Sequence, residues 1–300
     1  MKAGGASVLA LMSKKDASPK VRGRALETLA AIGDPKLPDA IKLALTDKDA
    51  ALRVAASAML AKLDPAKAVE QLAAVFAQAA VPEKKAVLIA LGSIPGPAAD
   101  RTLTALLGEL SAGKIPAEVQ VELLEAAGKR AAPEVKAKLK AYADALPKAD
   151  PLAAFKACLT GGDKTAGETI FREHAVAACL RCHKLKGSGG DAGPDLTGIG
   201  AKQDRASFLE TIVLPNAKIA EGFQTLVVTM KNGDIQAGMI KSETAADLVL
   251  QMPGAPPVTL KKAGIKARDT APSGMPPNMG DLLTKREIRD LVEFLASLKE

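Results

Sequence analysis

The sequence predicts a mainly α-helical chain in two parts: a solenoid of paired helices, then a smaller helical domain interrupted by a small antiparallel β insert. Three observations point there. From residue 1 to about 160 the apolar residues recur with helical period, and helix-start signals break the pattern at short intervals. One of those helical patterns returns along the chain, as stacked repeats require. Between about 222 and 268 the period becomes that of extended strands. The 48% hydrophobic content includes no Trp, one Tyr and six Phe, so the core material is aliphatic and suits Ala/Leu helix packing. Three hundred residues fit two domains of ~100 to 200 residues each.

In the first part, Ser18-Pro19, Asp34-Pro35, Asp64-Pro65, Pro82-Glu83, Pro97 and Pro133-Glu134 put caps or prolines in first turns, where a missing amide proton costs nothing. The helices between them run about 11 to 16 residues. Val21-Arg22-x-x-Ala25-x-x-x-Leu29 returns as Leu52-Arg53-x-x-Ala56-x-x-x-Leu60, more loosely as Lys84, Val87 and Leu91, and weakly as Val119-Gln120 and Leu123. A helix pair unable to bury its apolar face alone stacks on its neighbours. The spacing is short for a HEAT repeat of ~40 residues, yet the Val-Arg-x-x-Ala opening of a second helix resembles that family, which implies a scaffold over 1–160. Cys158 reads as a small buried hydrophobe, with a thiol pairing between chains as the alternative. Tyr142 reads as packing. No acid/base pair, nucleophile constellation or phosphate loop stands out in this half.

The second part spans 161–300. Gly161-Gly162-Asp163 breaks the array and caps a helix over 164 to about 177, in which Gly167 and Phe171 share one face. A last helix over 283–299 starts at Thr284 with Glu287 three residues on, a capping box. Its apolar face carries Ile288, Leu291, Val292, Phe294 and Leu295. A glycine facing an aromatic lets two helices cross closely, and Phe171 with Phe294 is the expected aromatic contact. The insert offers strands at 224–230, 235–240, 247–252, 258–261 and 265–268, with Asn232-Gly233 as a two-residue hairpin signal. They predict a small antiparallel sheet or barrel.

The chemistry concentrates in Cys179-Leu180-Arg181-Cys182-His183, the spacing that attaches a c-type haem. Two thiols two residues apart can each form a thioether to one haem vinyl group, and the following His becomes the proximal iron ligand. A zinc site would need two further ligands, and only Cys158 and His174 are on offer, neither in a paired motif. A thioredoxin-like dithiol would need a βαβ context, whereas a helix precedes this motif and a Gly-rich loop follows it.

Residues 162–300 resemble the haem-binding cytochrome c domain common in Planctomycetes and Verrucomicrobia. The resemblance is carried by Gly167-x-x-x-Phe171, the haem motif, Gly193-Pro194-Asp195-Leu196-Thr197, Arg205, Leu209-Glu210, Ile212, Pro215-Asn216, Ile219-Ala220, Met275-Pro276 and Leu283-Thr284. It implies a cytochrome c-like helical domain with one covalent haem c. A carbonyl in a Gly-Pro loop fixes the proximal His in cytochromes c, and the Pro194 carbonyl occupies that place. The resemblance also implies His183 and Met275 as iron ligands, with Met279 as the runner-up. Met230 and Met239 read as packing, and His174 as a surface helix residue. Such domains often follow helical repeats behind a propeller that resembles quinoprotein sugar dehydrogenases; this chain contains no propeller.

The expected function is electron transfer through a His/Met-ligated haem, with the repeats as scaffold or docking surface. The protein is expected to have no catalytic activity of its own and to serve a redox partner, a dehydrogenase among the candidates. The alternative is a haem enzyme or a gas or redox sensor with an open or labile distal site. The formal charge of +7 is spread along the chain without basic clusters between aromatics, which argues against nucleic acid and toward an acidic protein surface. An apolar run at 6–12, closed by Ser13-Lys14, is too short for a membrane span or a signal peptide. Because c-type haem is attached outside the cytoplasm, the expected location is periplasmic or otherwise extracytoplasmic, with the leader absent from this chain. The sequence sets neither oligomeric state nor redox potential.

Overall fold

The computed structural model describes residues 4–14, 16–251 and 255–300. The chain divides into two compact units, Met1–Pro147 and Lys148–Glu300. The division lies before the expected 160 because residues 150–159 pack within the second unit.

The first unit is α1 (Gly4–Ser13), α2 (Pro19–Ala31), α3 (Leu37–Leu45), α4 (Ala50–Leu60), α5 (Pro65–Gln78), α6 (Val81–Ser93), α7 (Pro97–Ser111), α8 (Gln120–Gly128) and α9 (Pro133–Ala145). Successive helices pair, and alternate helices stack on one another, α2-α4-α6-α8 along one layer and α1-α3 and α5-α7-α9 along the other. Each layer buries an aliphatic stripe; Leu26, Leu29, Leu72, Leu88, Leu91, Leu103, Leu107 and Leu123 are fully buried. Side chains of Ser18, Asp49 and Asp64 accept amide protons at the starts of α2, α4 and α5. Three starts differ from expectation. Asp34-Pro35 precedes α3, whose proline is Pro38. Asp49 caps α4 without a proline to announce it, and α8 follows a 3-10 turn, Ala117–Val119. Helices α1, α3 and α8 are also shorter than expected, at 10, 9 and 9 residues.

In three of its four copies the recurring polar residue of the repeat does the same job. Arg53 donates to the carbonyls of Asp47 and Lys48, Lys84 to that of Phe76, and Gln120 to that of Ile115. Each ties its helix to a carbonyl at the end of the preceding helix or in the loop after it, satisfying acceptors that helix ends leave orphaned. Arg22 reaches forward instead and pairs with Asp47.

The second unit begins with a 3-10 segment, Ala153–Leu159. It continues through α10 (Lys164–Glu173), α11 (Cys179–Cys182), β1 (Lys184–Leu185), β2 (Ser188–Gly189) and α12 (Arg205–Val213). The insert follows as β3 (Thr225–Met230), β4 (Ile235–Glu243), β5 (Asp247–Gln251), β6 (Val258–Lys261) and β7 (Ile265–Thr270). The chain closes with α13 (Met279–Leu282) and α14 (Lys285–Ser297).

Helix α14 is the centre of this unit. The Thr284–Glu287 capping box sets its start, and Ile288, Leu291, Val292, Phe294 and Leu295 are buried along it. Helix α10 crosses it at Gly167, with the rings of Phe171 and Phe294 5.6 Å apart between centroids. Helix α12 packs on α14 and is fastened by the two terminal guanidinium nitrogens of Arg205, which donate to Glu293 at 2.6 and 2.8 Å. The 3-10 segment also lies on α14, where Cys158 is fully buried and its thiol donates to the Lys285 carbonyl at 3.3 Å. That burial removes Cys158 from pairing between chains.

The insert is a five-stranded antiparallel sheet in the order β6-β5-β4-β3-β7, around Val228, Leu248, Leu250 and Leu260. Strands β6 and β7 sit at opposite edges yet are joined by three residues, Lys262–Gly264, so the sheet must curl. The register shift between Ile240 and Ser242 bends β4, and its end residue Glu243 bonds Arg268 of β7 at 2.8 and 3.1 Å. Four residues, Lys231 to Asp234, separate β3 from β4 where a two-residue turn was expected, with Gly233 at φ 92° third among them. Strand β5 ends at Gln251; Met252, expected to extend it, lies outside the described residues.

Candidate functional site

The Cys-x-x-Cys-His segment is a single helical turn followed by a turn into strand. Ala178 takes a left-handed conformation, φ 42°, and opens α11; the His183 amide closes it on the Cys179 carbonyl at 2.9 Å. Residues three apart on a helix share a face, so Cys179 and Cys182 are presented together with His183 next in line. Both thiols are half-buried and unbridged.

His183 is held from both sides. Its Nδ1 donates to the Pro194 carbonyl at 3.0 Å, which leaves Nε2 with its lone pair as the ligating nitrogen. Gly193 lies flat against the ring, and a Cβ there would come within 2.5 Å of Cε1. Burial pushes the imidazole pKa down and the Pro194 bond opposes it only partly, so the ring is kept neutral.

A collar of backbone bonds holds the loop against the motif. Gly190 and Gly193 donate to the carbonyls of Leu180 and Cys182 at 3.0 and 2.8 Å, and Leu196 to that of Lys184 at 2.9 Å. Asp195 accepts from the Thr197 amide, and the Thr197 hydroxyl accepts from Lys186. Hydrogen bonding from the Thr197 hydroxyl, and then from its amide, holds the Asp195 carboxyl below its ordinary range. Sequence reasoning placed the Gly-rich loop but missed this role, because close backbone approach has no periodic signature.

Met275 sits half-buried in the loop between β7 and α13, and its amide donates to the Ser273 hydroxyl at 3.2 Å. Met279 is in α13 and 2% exposed, packed as core. Met230 and Met239 lie in strands β3 and β4. Helix α10 ends at Glu173, four residues before the expected 177, and His174 lies just past it as the cap, its Nδ1 accepting from the amides of Val176 and Ala177 at 3.3 and 3.0 Å. Its Nε2 faces Glu287 at 3.5 Å, so both ring nitrogens are engaged.

The donor set fits a haem better than a protein-only metal site. Among the described residues no group of three or more His, Cys, Asp or Glu is arranged to hold a metal ion, so Cys179 and Cys182 lack further zinc ligands. Burial pushes the Cys179 thiol up to about 11, the reverse of a redox-active dithiol.

Residues 6–92 match a family model described as HEAT repeats. The two-layer stacking continues beyond that match through α9. No haem-binding family is detected. Among curated proteins none matches the chain. No helix among the described residues is long and apolar enough to cross a membrane.

Proposed function

We propose that the second unit is a cytochrome c-like electron-transfer domain carrying one covalent haem c, and that the HEAT repeats are its scaffold. The observation that carries this reading is the geometry of His183, a Cys-x-x-Cys-His turn whose ring donates from Nδ1 to the Pro194 carbonyl and keeps Nε2 for iron. The Gly167 crossing of α10 and α14 supports it, since it brings the unit's first and last long helices together as the resemblance implies.

When bound, the haem supplies an iron that alternates between ferric and ferrous states. Cys179 and Cys182 would hold it by thioethers, His183 would ligate from the proximal side, and the Met275 thioether from the distal side. The Pro194 bond fixes the tautomer and makes the imidazole more basic. Gly193 admits the backbone close enough to stop the ring turning. Met279, buried in α13, serves the core rather than the iron. Exposed Arg181, Lys186 and Lys202 near the motif suit an acidic docking partner, a dehydrogenase among the candidates. Haem attachment places the protein outside the cytoplasm.

The test is to export the chain in a host with c-type maturation machinery and record spectra. Expected are covalently bound haem, a near-infrared thioether band in the ferric state, and no carbon monoxide adduct in the ferrous state. Absence of covalent haem overturns the reading. A high-spin ferric spectrum with carbon monoxide binding replaces electron transfer with an enzyme or sensor having an open distal site.

A further inference from the structure

Resting on that reading, we propose that Asn216 is the positioning residue of the Met275 loop, setting the distal ligand through a two-bond relay. Asn216 follows α12 immediately after the buried Pro215, and α12 is itself fastened to α14 by Arg205 and Glu293. The Asn216 carboxamide oxygen accepts from the Ser273 amide at 2.7 Å across 57 residues of chain. The Ser273 hydroxyl in turn accepts from the Met275 amide at 3.2 Å.

The composition of the loop makes this relay decisive. The sheet's last rung is the Ala271 amide on the Thr225 carbonyl at 2.8 Å. Between it and Asn278 the chain reads Pro272-Ser273-Gly274-Met275-Pro276-Pro277, so only Ser273, Gly274 and Met275 own amide protons there. The relay uses two of those three. With so few amide protons of its own, the loop takes its position from the Asn216 carboxamide, just beyond α12. The same bond also closes the neck of the β insert, and a role confined to that closure would leave the distal side unaffected.

The experiment uses the full chain with haem attached. Asn216→Ala and Ser273→Ala should each keep covalent haem and the proximal His183, weaken the near-infrared thioether band, and let the ferrous form take up carbon monoxide. The two changes combined should do no more than either alone, since they break one chain of bonds. Asn216→Asp retains the acceptor oxygen and should restore the band. Arg268→Ala, which loosens the sheet alone, should leave the band intact. A full-strength band and carbon monoxide refusal in Asn216→Ala overturns the proposal. Amide exchange separates this from the reading it rests on. With or without attached haem, Asn216→Ala should speed exchange at Ser273 and Met275 together by about fivefold to tenfold. Unchanged rates overturn the relay even if the wild-type band is present.

Discussion

Gly167 of α10 lies so close to α14 that a Cβ on it would come within 2.0 Å of the Asp290 carbonyl oxygen and 2.7 Å of Phe294 Cβ. Backbone of α14, not a flexible side chain, occupies the space. Gly167→Ala should therefore push the helices apart and destabilise the second unit by about 3 kcal/mol. Amide exchange along α10 and α14 reads the loss, with α2 to α8 unchanged.

Arg205 spans both oxygens of Glu293 and also donates to the Leu159 carbonyl at 3.3 Å. The pair is partly exposed, so Arg205→Ala should cost only about 1 kcal/mol in a denaturant titration. Arg205→Lys should recover little of it, because one ammonium cannot make the two-pronged contact.

Glu243 is held down to about 2 by hydrogen bonds from Arg268 and then Lys262. A carboxyl depressed in the folded state adds stability above its unfolded value of about 4.3, and that contribution fades as pH falls toward the folded value. Between pH about 4.5 and 2 the insert should loosen, read as faster exchange of amides in β4 and β7. In Glu243→Gln the same pH step should change those rates much less.

In the repeats, Arg22 and Asp47 pair with little exposure, and Arg22 Nε has no hydrogen-bond partner. Arg22→Ala strands the Asp47 carboxylate and should cost about 3 kcal/mol. Arg22→Met with Asp47→Asn removes both charges and should return to within about 1 kcal/mol of the parent in urea unfolding.

The two candidate methionines separate by what they change. Met279→Ala leaves a cavity in the core beside α13 and should cost about 3 kcal/mol while retaining the thioether band. Met275→Ala should remove the band and leave the unfolding midpoint nearly unmoved. A band lost in Met279→Ala instead would exchange their roles.

What could be read in advance follows the range of the interaction. The Cys179–His183 turn, the Gly167–Phe171 face and the capping box at Thr284 depend on near neighbours in sequence, and their local geometry is legible from spacing. Phe171 with Phe294 was reachable because each helix shows its apolar face. Asp49 capped α4 without a proline, so that start passed unnoticed. The Asn216–Ser273 bond and the glycine collar join residues that share no period, and only folded backbone brings them together. The β4 bend was hidden for the same reason: a register shift at Ile240 leaves alternation nearly intact.

The Gly167–Asp290 contact also sets an order of events. Helices α10 and α14 are separated by more than a hundred residues, among them the whole sheet, and the Asp163 amide meets the Asp290 carboxylate 127 positions away. Contacts so distant in sequence form late and slowly, because the loop they close is long. As the chain emerges, the repeats can stack from neighbour to neighbour while Cys179, Cys182 and His183 still hang on an unfastened strand. The core of the second unit therefore stays open until α14 docks on α10 and α12, and that docking is the step that closes it.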